Sequence, residues 1–585
     1  MVAKRFNLLS DAWIPVRLRD GGDRVIAVAD LFDTANPPMR MNWGRADFDA
    51  AQQDFLIGVL AVICPPRDQD EWLDQLERPP SPDTIREWLA PHVPAFYLDG
   101  DGPLFMQVTE AEVTGRGVRK MAKAKAKAEA RGVAEKAAKT EIKRPEMLLF
   151  GGPGENTETR NRDLFVKRRA VGMLGRPTAA IALYTLQSYA GSQGAGNRVG
   201  WCGGGPVRTY VVPRAADGSP ATLFEVLWAN VPCGEPAQPG DPAVFPWMGP
   251  VADGEGTGNR LDPRQAWFGQ PRLIRLTVEP PGDGGAPCDL TGRMDSHRVV
   301  GWRQRPRDYE YALRVEPHPL TPHYLPKPDD KATAHYHANS DRIGYQNWLG
   351  LVLNEPNGKL AAARVVREYR QERGRIRGDL TPPLLTAVGL NLATGDALGC
   401  VESTMPMFML ADAEANDKLE AKAASYIHAA QAVRRLMSSN IASALHRRPK
   451  DAKRDGTLMV NAATQFYDRT QAGFFEVMEG LTHRLGDDAE ADLTDLVLRW
   501  HGMLYDAALS VFDEVVPIRP LTGRQREEGG VQVHAAISAR KWLKLALKGH
   551  TKLGHELFKY LELPLPRRPE ATDEAAQAVT EDVGT

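Results

Sequence analysis

Four stripes of apolar residues at helical spacing dominate the last third of the chain and narrow what it can fold into. The first stripe is Leu419, Ala423, Ile427, Ala430, Val433, Met437, Ile441 and Leu445, and the second Phe466, Phe474, Val477 and Leu481. Leu493, Leu496, Trp500, Met503, Ala507 and Val511 form the third; Val533, Ile537, Trp542, Leu543, Ala546 and Leu547 form the fourth. Each stripe needs a partner to bury it, so four in succession predict an antiparallel four-helix bundle over 406–565. Beyond it, 566–585 is small and acidic and reads as a disordered tail.

The first 405 residues are patterned differently. Phe6 to Leu18 reads as a strand, a turn and a second strand packed by Trp13, and Asp47 to Cys64 as an apolar helix closed by Pro65 and Pro66. Phe96 to Gln107, FYLDGDGPLFMQ, reads as two strands about a Gly-rich turn. Arg272 to Val278 and Tyr309 to Val315 alternate as strands, with Arg298 to Arg307 as a cationic turn between them. No βαβ repeat is present, so the fold class is α+β: a large irregular N-terminal domain of mixed α and β, then the all-α bundle.

The densest feature of that domain is Gly191 to Val207, GSQGAGNRVGWCGGGPV, with seven glycines among seventeen residues. An apolar helix, Ala179 to Tyr189, precedes it and an alternating strand, Val207 to Val212, follows. A loop held between such walls can lay its own backbone against another molecule. A wide turn with no ligand is the other reading.

Basic residues cluster although the formal net charge is only −2. Arg119 to Arg144 holds ten Lys or Arg against three Glu, and 118–146 reads as a mobile basic insertion, either a solvated face or a phosphate-binding arm. In Asn161 to Arg176, Phe165 and Val166 stand among cations, as suits stacking against nucleic acid or an ordinary core. The last helical stripe carries Arg540, Lys541, Lys544 and Lys548, a basic stripe or a solvated face.

Enzyme signatures are missing. The chain has no phosphate loop of the GxxxxGK[ST] type, and Val199 stands where a dinucleotide fingerprint needs its third glycine. HExxH and GxSxG are absent too. His335 and His337 share one face of a strand, a metal-pair spacing, but no nearby Cys, Asp or Glu completes a set and surface histidines are expected. Five scattered cysteines with no CxxC argue against a disulfide framework or a zinc site and suit a reducing cytosol. With no long apolar run, a cytoplasmic protein is expected.

In this order the features resemble the CasA family, the large subunit of the type I-E CRISPR Cascade surveillance complex. The likeness covers most of the chain and rests on NLLSDAWIPV at Asn7 to Val16, FYLDGDGPLFMQ at Phe96 to Gln107, GWCGGGPVRTYVV at Gly200 to Val212, PHP at Pro317 to Pro319 and the bundle-like end. The resemblance implies a subunit with no catalysis and no cofactor. It implies partnership with guide RNA, with the backbone and small subunits of Cascade, with double-stranded target DNA and with a helicase-nuclease, and none with a membrane. It implies recognition of a protospacer-adjacent motif (PAM) through the minor groove, with a wedge that starts strand separation and R-loop formation. Position by position, the family's PAM loop falls on Gly194, Ala195, Gly196 and Asn197, and its minor-groove cation on Arg307 or Arg305. The docking loop falls on Phe165 and Val166, and the wedge hairpin on Asn391, Leu392, Ala393, Thr394, Gly395 and Asp396. Of two zinc-binding CxxC pairs in some relatives only Cys288 remains, so no metal is expected. Two other readings are a metal-dependent phosphodiesterase using His335 and His337, and a purely structural scaffold.

Overall fold

The computed structural model of the chain describes residues 4–115, 141–189, 191, 199–214, 217–251, 261–280, 285–307, 311, 316–325, 333–337, 342–356, 359–377, 381–393, 396–447, 456–517 and 524–566. Two compact units result, Met1–Ile343 with Gly350–Met407, and Gly344–Leu349 with Phe408–Thr585. The boundary expected at 405/406 lies after Met407, and a six-residue segment from far upstream joins the second unit. Aromatic packing explains the transfer: Tyr345 stacks on Phe474 at 4.6 Å between centroids, and its hydroxyl meets Thr470 Oγ1 at 2.7 Å.

The first unit opens with a three-stranded antiparallel sheet in which β1 (Ile14–Leu18) lies between β2 (Asp23–Ile26) and β3 (Pro38–Met41). Only the second half of Phe6 to Leu18 is therefore a strand. The first half turns because the Asn7 carboxamide oxygen accepts the Leu9 and Ser10 N–H groups. Helix α1 (Ala46–Ile63) is buried on nearly every side. Its Phe55 stands at the centre of the core, with the rings of Trp13, Phe96, Phe105, Tyr184 and Phe268 at 5.5 to 6.2 Å.

Phe96 to Gln107 is irregular chain rather than two strands. Its backbone bonds to the Phe6 to Leu8 segment and to itself, with Leu98 N–H on Phe6 O at 2.9 Å and Phe105 N–H on Tyr97 O at 2.7 Å. Side chains add to these: Asp99 Oδ1 accepts the Phe6 N–H at 2.7 Å, and Gln107 Nε2 donates to Leu98 O at 2.8 Å. Such ties let a non-strand segment bury Phe96, Leu98 and Phe105 completely.

Further along come α2 (Arg176–Tyr189), β4 (Val207–Val212), β5 (Arg272–Glu279) and β6 (Arg298–Pro306). The cationic turn expected at Arg298 to Arg307 is thus largely a strand, paired with β5 from Arg272↔Pro306 to Glu279↔Arg298. Pairing sends its arginines out along one face while Trp302, on the other, is buried. Of the strand expected at Tyr309 to Val315 only Tyr311 is among the described residues. A long hairpin, β7 (Leu384–Ala393) and β8 (Asp396–Pro406), completes the unit, with β7 between β8 and β4. Asn391, Leu392 and Ala393 of the expected wedge hairpin end β7, and Asp396 opens β8.

The second unit is helical. Helix α3 (Ala413–Leu445), capped by Asp412 accepting the Ala415 N–H at 2.9 Å, packs against α4 (Gly456–Asp487) and α5 (Thr494–Val515). A hairpin of β9 (Gln525–Glu528) and β10 (Val531–His534) leads into α6 (Ala535–Leu547), and α7 (Lys552–Tyr560) follows. Both α6 and α7 also pack on α3, so the unit holds five described helices and a hairpin where four helices were expected. The first three stripes point inward at Ile427, Phe474, Leu481 and Trp500, all fully buried. The fourth holds in part: Leu543, Ala546 and Leu547 are buried on α6, but Val533 lies in β10, Ile537 and Trp542 face outward, and Ala535, Ala536 and Ala539, outside the expected stripe, are buried instead. No described helix is long and apolar enough to cross a membrane.

Candidate nucleic-acid interface

The Gly194 to Asn197 loop lies outside the described residues, but its two walls and its neck are described. Both walls are tied to one carboxylate. Asp54, in the middle of the apolar helix α1, accepts from Tyr189 OH at the end of α2 and from Arg208 Nε and Tyr210 OH on β4, each at 2.6 Å. Arg208 also reaches Cys202 Sγ at 3.1 Å and Thr321 Oγ1. Burial works against its charge, yet Asp54 holds the Arg208 guanidinium well above the ordinary arginine range. Burial, reinforced by Asp54, pushes the Tyr189 and Tyr210 phenols well up, so they stay neutral donors.

At the neck the loop's two ends touch. The Gly205 N–H donates to Tyr189 O at 2.8 Å, and a Cβ on Gly204 would collide with the Gly191 Cα. Gly205 itself is left-handed, with φ +65°, against the Leu390 carbonyl. No residue but glycine closes the neck this tightly. Arg272, buried on β5, donates through Nη2 to Gly191 O at 2.6 Å and holds the loop's first residue.

His335 and His337 flank this neck and are not surface residues. His335 is buried; its Nε2 accepts the His318 N–H at 3.1 Å, which occupies the lone pair a metal would need. Burial, with Arg208 nearby, lowers its pKa to about 3. His318 is held well below the ordinary range by burial, Arg208 and His335, and His323 falls to about 4 through burial, Arg367 and His335. The His337 ring packs 3.0 Å from where a Gly203 Cβ would stand. Among the described residues no three His, Cys, Asp or Glu are grouped to hold a metal ion.

The hairpin expected to be the wedge leans on the same neck. Register Gly389↔Val207 joins β7 to the strand that leaves the loop, and Leu392 Cδ1 would touch a Cβ on Gly191, Gly204 or Gly205 at 3.2 to 3.4 Å. Asn391 is buried, Leu392 half-buried, and Ala393 pairs with Asp396; Thr394 and Gly395 lie outside the described residues. A register shift pairs Asn391 with Gly399 and Leu392 with Ala397, which leaves Leu398 bulged out and 53% exposed.

The loop expected to dock, with Phe165 and Val166, meets the hairpin at Ala397 across Gly151. Gly151, at φ +72°, brings Phe165 and Ala397 together: a Cβ there would be 3.0 Å from the Phe165 Cβ and 3.4 Å from the Ala397 Cβ. Arg168 closes the loop on Asp163 through Nε at 3.0 Å and Nη2 at 2.7 Å. Val166 is buried as an anchor, and Phe165 is 52% exposed.

The two arginines expected to face the minor groove differ. Arg307 is buried, donating to Gln270 O at 2.5 Å and lying 3.3 Å from Tyr311 OH, so its guanidinium is spent on the fold. Arg305 is half-buried on β6, on the face it shares with Arg303. Of the bundle cations, Arg540 is taken up by Asp513 through two 2.6 Å contacts, while Lys541 is exposed and Lys544 half-buried. The 118–146 insertion lies outside the described residues up to 140.

A family model of CRISPR-associated protein Cse1 matches residues 7–511. The chain belongs to the Cse1 family. Solved structures agree over nearly the full length. The crystal structure of Cse1 from Acidimicrobium ferrooxidans has a TM-score of 0.61 at 16% identity, covering 96% of this chain and 99% of that one. CasA from Thermus thermophilus gives 0.59 at 16%, covering 96% and 100%. A chain of a CRISPR RNA-guided surveillance complex gives 0.61 at 14%, covering 93% and 99%. These likenesses establish the Cse1 fold.

What the family resemblance did not supply is the clamp beneath the loop. Asp54 and Arg208 are ordinary letters in their segments. The one sequence signal is a carboxylate inside AAQQDFLIGVLAVI, an otherwise apolar helix, where a buried charge demands a partner.

Proposed function

We propose that this Cse1-family chain is a non-catalytic subunit of an RNA-guided CRISPR complex, assembled with guide RNA and with backbone and small subunits, that recognises a PAM in duplex DNA. Gly194 to Asn197 meet the minor groove, and the 391–396 hairpin starts strand separation there. The contact chain from loop to hairpin to docking loop carries this reading: Leu392 rests on the glycine neck, and Ala397, five residues on, meets Phe165 across Gly151. A backbone that enters the groove at the neck is thereby coupled to the element that must part the strands.

The physics suits that division of labour. The minor groove displays a degenerate pattern, so a close-fitting backbone loop reads shape and tolerates related motifs. Exchange of a DNA duplex for an RNA–DNA heteroduplex is nearly balanced, so a modest protein contribution at the start tips it. Arg305 takes the groove-facing cation role in place of the buried Arg307. Phe165 docks the subunit on the RNA-bearing end of the complex. Lys541 and Lys544 attract the displaced strand, and the assembled face recruits the helicase-nuclease.

The test is co-purification with neighbouring subunits and guide RNA, followed by binding to a library of duplexes varied at the PAM. A set of preferred motifs supports the reading. Affinity that is uniform across the library counts against it, and no salt-sensitive DNA affinity at all favours a structural scaffold.

A further inference from the structure

Buried cations in the first unit are balanced in most places. Arg208 has Asp54, and Arg176 has Asp99 and Asp295. Arg373 has no carboxylate, but neutral acceptors satisfy each of its nitrogens: Gln69 Oε1 and the Ala229 and Val231 carbonyls. Two cations near the loop are treated otherwise. Arg272 is 2% exposed; among the described residues its Nη atoms meet the carbonyls of Leu186 and Gly191, and its Nε has no partner. Lys143 bridges to the edge of β6 through Trp302, with its N–H on Trp302 O at 2.7 Å and its carbonyl taking the Trp302 N–H at 3.0 Å. Its ammonium lies 4.6 Å from the Trp302 ring centroid and donates to Gln304 Oε1 at 3.1 Å. Neither cation makes an ion pair with a carboxylate among the described residues.

Uncompensated charge of this kind is costly inside a protein. Burial and then Arg272 lower the Lys143 pKa to about 8. Lys143 is a half-buried residue whose ammonium is held against an aromatic face and an amide. A lysine fixed beside a second cation, with a neutral amide as its acceptor and no carboxylate paired with it among the described residues, suits an anion from outside. Its neighbour Arg272 holds the first residue of the glycine loop, so the anion would lie beside whatever the loop meets.

We infer that Lys143 is a phosphate-binding residue, holding one backbone phosphate of the DNA duplex that the glycine loop engages. This rests on the DNA-binding reading above and adds a contact that reads no sequence. It sets where along the duplex the loop enters, as phosphate contacts do.

The experiment uses the assembled complex with guide RNA and compares wild type, Lys143→Gln and Lys143→Arg on PAM-bearing and PAM-free duplexes across a salt series. Lys143→Gln should weaken both duplexes by the same factor, on the order of tenfold, and reduce the slope of log K against log salt by about 0.9. Lys143→Arg should restore the slope. On wild-type protein, replacing duplex phosphates one at a time by neutral methylphosphonates should reveal one position whose loss costs as much as Lys143→Gln, which guards against a variant that merely misfolds. An unchanged slope in Lys143→Gln, or a scan in which no single phosphate matters, overturns the assignment while leaving PAM reading intact. Failure of Lys143→Gln alone to assemble with guide RNA moves the contact to RNA and overturns it too. If wild type itself does not distinguish PAM from PAM-free duplex, the underlying reading falls instead.

Discussion

The two units of the chain bury different chemistry. In the first, ions and imidazoles sit in the core: Asp54, Arg176, Arg208, Arg272, Arg373, His318 and His335 are all buried. In the second, the buried polar residues among those described are Asn416, Thr470 and Ser538, none of them charged. One fold is pinned by directional ties between specific partners, the other by volume and pattern. Directional ties hold irregular chain and a closed glycine neck in one geometry, which a reading site needs. Pattern suffices for helices that only have to pack.

The largest effect should come from breaking the first kind of tie. Asp54→Asn keeps the shape but leaves Arg208 buried without its carboxylate, and should cost about 3 to 5 kcal/mol in the unfolding of the first unit, measured by denaturant titration. Near-isosteric replacement should give no protection. In the second unit Leu504→Ala should cost about 2 to 5 kcal/mol, but Leu504→Met, which conserves volume, less than about 1.5 kcal/mol. If Asp54→Asn proves as mild as Leu504→Met, the contrast between the units fails.

Acid should separate the units more gently. Buried His318, His323 and His335 have folded pKa values below the unfolded histidine value of about 6.5, with His323 at about 4 and His335 at about 3. The folded state therefore holds them neutral, and the unfolded chain takes up their protons first. Their contribution is complete above pH 6.5 and is lost as pH falls toward 4. Melting followed from pH 7 to pH 4 should show the first unit's transition dropping before the second's. The smallest effect belongs to the surface: Lys541→Ala with Lys544→Ala should change stability by less than about 0.5 kcal/mol while weakening salt-sensitive retention of single-stranded DNA.

The same contrast explains what the sequence disclosed. Helices α3, α4 and α5 follow from apolar periodicity because pattern is what holds them. The fourth stripe holds only in part, because Ile537 and Trp542 are large and apolar yet face outward, while Ala535, Ala536 and Ala539 are buried beside Leu543, Ala546 and Leu547. In the first unit, Phe96 to Gln107 resembles strands in composition, but its backbone is tied to Phe6 to Leu8, to its own turns and to the Gln107 side chain rather than to a continuous ladder. Arg298 to Arg307 looked like a turn because arginines masked the alternation of a strand. The glycine loop was plain from composition. Its clamp was not, since Asp54, Arg208 and Tyr210 are joined only in space, and the burial of Arg307 on Gln270 and Tyr311 could not be read from its basic neighbours.

Whether the glycine loop held by this clamp reads the PAM is decided by replacing Ala195 and Gly196 with bulky residues and comparing the affinity of the assembled complex for duplexes with and without a PAM. Assembly should survive, and the advantage of the PAM-bearing duplex should disappear while PAM-free binding stays as it was. An equal loss on both duplexes would contradict PAM reading by this loop.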